Sequence, residues 1–317
     1  MRMTARGSRV ARVVICVSID CECDKGPRWR SQRPLRFVGV TDGIARRVAP
    51  LFAHHRAKPT YLISPELLRD DASVAVLRRQ RSSAELGTHL HGEYAEPGAC
   101  DPDVTLAVQR DYPEVVERAK LAWLTAAFRS AFDVPARAFR AGRFGIGPNT
   151  IPILEALEYR VESSVTPAQR WSSSAGAFDF AGAPSQPYRP DPRRPGVRGT
   201  SRLWEVPVTI RPRPWSRLPV IGRWIDGRWL RPTWGTAEQL IGTATAEIRD
   251  AQRRSPGDPV VLNAMFHNVE VIPGASPYAR TEAAAAAIVG RLAALLAFAS
   301  SAAIPVIGLS DVPELLS

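Results

Sequence analysis

Short apolar runs rich in β-branched residues alternate with longer segments of helical period along most of the chain, and this alternation most constrains its fold. Residues 13–20 read as a buried strand. A helix follows over 43–55, where Thr41 and Asp42 can cap the start and Pro50 predicts a kink or split. Strands are expected at 59–64, 84–91, 136–142 and 159–165, with helices at 72–81, 113–132 and 148–158 between them. Such a pattern calls for parallel strands joined by helical crossovers, hence a doubly wound sheet or a barrel. The length of 317 residues suits two domains or one α/β barrel with insertions.

The periodicity fails between about 167 and 236, a stretch rich in Pro, Gly, Ser and Arg. Six of the eight tryptophans lie there: Trp171, Trp204, Trp215, Trp224, Trp229 and Trp234. Only 201–210 reads as a strand, with a short helix expected near Leu218 to Trp229 and irregular loops elsewhere. Beyond it come a helix at 236–254, a strand at 259–267, a helix at 282–300 capped by Thr281 and a last strand at 304–310.

The formal charge of +11 is carried almost wholly by arginine, since Lys25, Lys58 and Lys120 are the only lysines. A basic surface concentrates phosphates, nucleic acid or acidic lipid without specifying a fold. Four cysteines, Cys16, Cys21, Cys23 and Cys100, are too few and too clustered for a disulfide framework. No signal peptide is read at the basic N-terminus, and no stretch approaches the roughly 18 uninterrupted apolar residues of a membrane span. A cytoplasmic location is therefore expected.

Three groups of residues can carry chemistry. Asp20, Glu22 and Asp24 alternate with Cys21 and Cys23 at the end of the first strand, so period two puts the acids on one face. Converging carboxylates need protons, arginines or a cation, and a solvated acidic turn is the competing reading. His89 and His91 end another strand on one face, and two histidines with a carboxylate form a common catalytic metal shell. His267, followed by Asn268 and Glu270, ends a third. In a parallel barrel all strand C-termini share one mouth. Arg140 closes the 136–142 strand and Arg143 follows in a Gly-rich turn. His54 and His55 are explained by a helix C-terminus, and Cys21 and Cys23 by packing. GxGxxG, P-loop and GxSxG motifs are absent, which weakens nucleotide-binding and serine-hydrolase readings.

The motifs SIDCECDKG, ELGTHLH, FRAGRFG, VESSVTP and MFHNVEVIPGASPY together resemble the NodB-homology polysaccharide deacetylases, carbohydrate esterase family four, in a divergent branch associated with glycan biosynthesis. The resemblance spans about Val13 to Leu315. It implies an α/β fold, a distorted (β/α) barrel of roughly seven strands, short of the eight complete repeats of a full barrel. The whole of 8–317 is then one domain, with the Trp/Pro/Arg-rich insertion at about 167–236. By the same resemblance Asp20 is the general base, Arg140 orients it, His267 protonates the leaving amine, and Glu162 sits near the fourth motif's acid. The metal, zinc first with cobalt or manganese as alternatives, would be held by His89, His91 and either Glu22 or Asp20.

Two departures stand out. The usual Asp-Asp pair is replaced by Asp20-Cys21-Glu22, so base and ligand are exchangeable at this stage. The histidines are one residue apart rather than three, with Glu93 at the customary second position. The expected function is hydrolysis of an N-acyl group, acetyl above all, from an amino sugar of a polysaccharide or of a lipid- or nucleotide-linked precursor. Peripheral membrane contact is consistent with the insertion's Trp and Arg residues, while nucleic acid is not the expected partner. Rival readings are a non-catalytic glycan-, membrane- or nucleic-acid-binding relative and a hydrolase of a non-sugar amide.

Overall fold

The computed structural model describes residues 12–98, 108–174, 176–212 and 227–316. Its central sheet contains β1 (Val13–Cys21), β2 (Thr60–Ile63), β3 (Glu85–Leu90), β4 (Ala138–Ala141) and β5 (Val161–Glu162). The strands Trp204–Glu205, Val260–His267 and Val306–Ile307 complete it. The order is Trp204–Glu205, β5, β4, β3, β2, β1, Val260–His267, with Val306–Ile307 also paired to β1, and every ladder is parallel. Between its two end strands the barrel is bridged by loop backbone. Thr209 N donates to Asn263 O at 3.0 Å, Leu230 N to Thr209 O at 2.9 Å, and Met265 N to Leu230 O at 3.3 Å. The sheet is thus the expected distorted barrel.

Strand alternation sorts β1 into two faces. Ile15, Val17, Ile19 and Cys21 pack outward in the large core shared with the helices, while Val14 and Cys16 point inward. Inside, Val14, Leu62, Ala138, Val161, Val206 and Val261 form an apolar floor closed by Leu309 and Val312. Directly above lies a polar layer in which Ser18 Oγ donates to Asn263 Oδ1 at 2.8 Å and Asn263 Nδ2 to Ser163 Oγ at 2.9 Å. Polarity therefore rises toward the strand C-termini.

The first helix begins at Gly39 rather than residue 43 and is wound in π form over Gly39–Val48 before α1 (Ala49–His54), whose first turn holds Pro50. The split predicted at Pro50 is real, but Thr41 and Asp42 do not cap the helix. Asp24 accepts Val38 N at 3.0 Å and Gly39 N at 2.9 Å instead. The other long helices are α2 (Asp71–Gln80), α3 (Glu114–Phe132), α4 (Thr150–Ala156), α5 (Ala237–Arg254) and α6 (Glu282–Ser301). Thr281 caps α6 as expected, accepting Ala284 N at 3.2 Å. By length and composition α6 could cross a membrane, although Arg291 interrupts its apolar run. Here its Ile288, Leu292, Leu295 and Leu296 are buried in the protein core.

The described part of the 167–236 stretch is more ordered than expected. Arg170–Ser173 pairs with Gly176–Asp179 and Pro190–Asp191 with Arg194–Arg198 in antiparallel hairpins. The single strand expected at 201–210 is two short ones, because Trp204–Glu205 joins the barrel and Ile210–Arg211 pairs with Arg228–Trp229. Extended backbone at 228–229 corrects the end of the helix expected there, while its remainder, with Trp215 and Trp224, lies outside the described residues, as does Cys100. Trp171 and Trp229 pack against Phe144, which supports a packing role for these two.

Val161 and Ser163 face the interior, so Glu162 points away from the mouth and meets Glu205 beneath Tyr188, all three fully buried. Burial first and then Glu162 push the Glu205 carboxyl well above the ordinary carboxylate range. Above the ordinary range the folded chain keeps a proton that the unfolded chain has released. Glu205 therefore makes stability fall with rising pH, by up to about 1.4 kcal/mol per unit. Glu205→Gln should flatten that slope in denaturant titrations between about pH 5 and 8. Identical slopes in parent and variant would show that Glu205 keeps no extra proton in the folded chain.

Candidate active site

Parallel register brings the predicted residues to one mouth. Asp20 lies opposite His267 in the ladder of β1 with Val260–His267, and His89 opposite Arg140 in that of β3 with β4. Asp20, Glu22, His89, His91 and Arg140 are all 5% exposed or less, so their charges must be answered by one another.

Glu22 lies at the centre of the site. Its Oε1 is 3.2 Å from His89 Nε2 and 3.1 Å from His91 Nε2, and the three donor atoms form the group among the described residues able to hold a metal ion. The other nitrogen of each imidazole is anchored. His89 Nδ1 lies 3.0 Å from Arg140 O, which can only accept, so Nδ1 donates to it and the ring is oriented with Nε2 toward Glu22. His91 Nδ1 lies 3.3 Å from Glu93 Oε1, and Arg143 in turn holds that carboxylate at 2.6 Å. Histidines fixed from behind by a carbonyl and a carboxylate are the usual support of a metal shell. The donor set fits a divalent ion such as zinc. Gly142 lets the strand ends close together, because a Cβ there would lie 2.6 Å from Leu90 O and 3.3 Å from the His91 ring.

Lys25, like Arg231 and Thr233 below, joins the site without a signal in the sequence motifs. Its Nζ, almost fully buried, lies 2.9 Å from Glu22 Oε2, opposite the histidine side of the carboxylate. Burial opposes ionisation of Glu22, but Lys25, His91 and His89 outweigh it and hold the carboxyl well below the ordinary range. For His91 burial opposes the charge, yet Glu22 and Glu93 lift it to about 9, so an arriving cation competes with a proton. Cys23 also departs from a pure packing role, with its Sγ 3.7 Å from both Lys25 Nζ and Tyr94 Oη. Burial chiefly pushes its thiol up to about 12, so it is not a thiolate near neutrality.

Asp20 occupies a separate position beside this group. Arg140 grips Oδ1 at 2.7 Å and is itself fixed by Ser163 O at 2.7 Å, Ser18 Oγ at 2.8 Å and Ser163 Oγ at 2.9 Å. Burial would raise its carboxyl, but Arg140, His89 and His267 together leave it below the ordinary value. Its Oδ2 lies 3.8 Å from His267 Nε2, which is 3.7 Å from Glu22 Oε1. His267 Nδ1 is held at 2.8 Å by Glu270, which also binds Arg231 and Thr233. That carboxyl falls to about 2, since Arg231 and His267 outweigh its burial.

Of the acids expected on one face, Asp20 and Glu22 reach the site and Asp24 does not. The alternation ends with β1 at Cys21, and Asp24 turns to the helix start at Gly39. Arg143, Glu93, Glu270, Arg231 and Thr233 act through the histidines. Their signal was spacing: each acid lies two or three residues after its histidine.

No family model matches the chain, and no curated protein sequence matches it. Solved structures do. Over 97% of this chain and 72% of the other, it is similar to a protein from Parabacteroides distasonis named as a glycoside hydrolase/deacetylase, with a TM-score of 0.67 at 12% identity. A protein from Pseudomonas aeruginosa PAO1 named as a polysaccharide deacetylase gives 0.58 at 13% identity, covering 96% of this chain and 91% of that one. An allantoinase gives 0.57 at 13% identity, covering 96% and 90%. The chain has the NodB-type distorted barrel fold of the polysaccharide deacetylases.

Proposed function

We propose that the protein is a metal-dependent hydrolase that removes an N-acyl group, acetyl above all, from an amino sugar of a glycan or of a lipid- or nucleotide-linked glycan precursor. The observation that carries this reading is the convergence of Glu22, His89 and His91 beside an arginine-held Asp20 and a carboxylate-held His267. The geometry favours Glu22 over Asp20 as the ligand carboxylate, because Arg140 already occupies Asp20 Oδ1.

Glu22, His89 and His91 would hold a divalent ion, which when bound would supply Lewis acidity toward the acyl oxygen and toward water. Asp20, kept ionised by Arg140, accepts the attacking water's proton at Oδ2. Arg140 restrains the carboxylate through Oδ1, so that the free oxygen keeps one direction. His267 delivers a proton from Nε2 to the departing amine, and Glu270 fixes its ring by accepting from Nδ1. Water is divided between the carboxylic acid and the free amine.

Chelator should abolish acetate release from N-acetylated saccharides, and Zn²⁺, Co²⁺ or Mn²⁺ should restore it in step with bound metal measured by elemental analysis. Full activity in metal-free protein would overturn the reading. The barrel is shared with an allantoinase, so non-sugar amides belong in the substrate panel, and turnover confined to them would move the assignment to that class. Cys16, Cys21 and Cys23 are free and buried, which supports a reducing, cytoplasmic setting. A lipid-linked substrate would bring the protein to the membrane surface.

A further inference from the structure

Each carboxylate that meets a histidine of the site has a cation of its own. Arg140 answers Asp20 at 2.7 Å, Arg143 answers Glu93 at 2.6 Å, and Arg231 answers Glu270. Glu93 and Glu270 stand behind a histidine ring and Asp20 lies outside the ligand group, so the cations beside them leave the ligand atoms untouched. Lys25 is different, because the carboxylate it answers is Glu22, itself a member of that group.

The two oxygens of Glu22 have separate partners. Oε1 faces His89 Nε2 and His91 Nε2, while Oε2 faces Lys25 Nζ at 2.9 Å. Backbone contacts on both sides fix this division. Glu22 N donates to Asn268 Oδ1 at 2.9 Å, and Asn268 Nδ2 donates back to Glu22 O at 3.0 Å. Lys25 N donates to Ala275 O at 3.0 Å and Lys25 O accepts from Arg30 N at 2.8 Å. The ammonium end is equally confined, with Ser31 Oγ at 3.5 Å, Cys23 Sγ at 3.7 Å and the centre of the Tyr94 ring at 5.9 Å. Among the described residues Glu22 is the only carboxylate within ion-pair distance of this buried charge. A buried ammonium needs such a partner, so the contact binds both residues to one geometry.

We propose that Lys25 is a positioning residue for the metal carboxylate: by holding Oε2 it restricts Glu22 to ligation through Oε1 alone. This rests on the metal-site reading of the hydrolase. A carboxylate free to turn can grip an ion with both oxygens, and each added protein donor fills a position that a catalytic ion keeps open for water or substrate. Lys25 keeps that position open. It also cancels the charge of Glu22 beforehand, so the ligand does not neutralise the ion and more of the ion's charge acts on the acyl oxygen.

The test uses the full-length protein and zinc. A crystal structure of the zinc-loaded parent should show Oε1 on the ion and Oε2 on Lys25, and both oxygens on the ion would overturn the assignment without recourse to a variant. Lys25→Met removes charge and donor at similar length. Zinc, measured by competition with a chromogenic chelator, should bind this variant at least as tightly as the parent, because the ion then becomes the chief cation of a buried carboxylate. In the same variant kcat for acetate release should fall about 10–100-fold with KM little changed. With Co²⁺ in place of zinc, the parent should give the strong visible absorption of a low-coordinate ion and the variant the weaker band of a higher coordination number. A lysine that only supports the fold predicts weaker zinc binding with an unchanged cobalt spectrum, and that result overturns the proposal, as does an unchanged kcat. Zinc held through Oε1 alone in a parent that hydrolyses no N-acyl saccharide or other amide leaves Lys25 in its role and overturns the hydrolase instead. A parent that binds no zinc overturns both.

Discussion

His89→Ala should release the metal and abolish turnover together, whereas Asp20→Asn should abolish turnover and keep the metal. His89 supplies one of only three ligand atoms in the group, and its own orientation depends on a single carbonyl, Arg140 O. Loss of an outer-shell support costs about 10–100-fold in metal affinity, so loss of a ligand should exceed that. Asp20 lies outside the ligand group, and its loss should lower kcat by about 10²–10⁴, the range of a general base. Elemental analysis after extensive dialysis, beside acetate release, separates the two. Full metal content in His89→Ala would break the ligand assignment, and metal loss in Asp20→Asn would exchange the roles of Asp20 and Glu22.

The second large effect concerns stability. Arg140 is wholly buried, and it donates to Asp20, Ser18 and Ser163 without help from solvent. Arg140→Met would leave the Asp20 carboxylate buried without its principal cation, at a cost of about 3–5 kcal/mol. Lysine should not rescue it, because one ammonium cannot reproduce the planar fork that reaches three residues. Because Arg140 holds the Asp20 carboxyl down against burial, removing it should also move the acidic limb of any residual rate profile to higher pH. Urea denaturation of parent, Met and Lys variants measures the first effect. A change below about 1 kcal/mol would mean that water, not Arg140, neutralises Asp20.

The residues legible in the sequence are those whose placement follows from period two and strand polarity. Asp20, His89, Arg140 and His267 each close a strand, and parallel pairing carries all four to one end. What period two could not convey is where each strand stops. Asp24 was drawn into the acidic group because alternation was carried past Cys21, where the ladder ends. Glu162, near the fourth motif's acid, lies outside the mouth, because its neighbours Val161 and Ser163 are the inward ones. Lys25 escaped notice because lysine beside a metal group runs against simple charge reasoning, and only the second oxygen of Glu22 explains it. The short strands at Trp204–Glu205 and Ile210–Arg211 follow from their partners across space, which no local pattern reveals.

β1 pairs with β2, close behind it in sequence, and with Val260–His267 and Val306–Ile307, which follow far downstream. The nascent chain must therefore carry an open edge beside Asp20 until those strands have emerged, a long exposure to wrong pairing. His267 reaches Asp20 only through that distant pairing, so a chain interrupted ahead of it would carry Glu22, His89 and His91 without the imidazole that faces them.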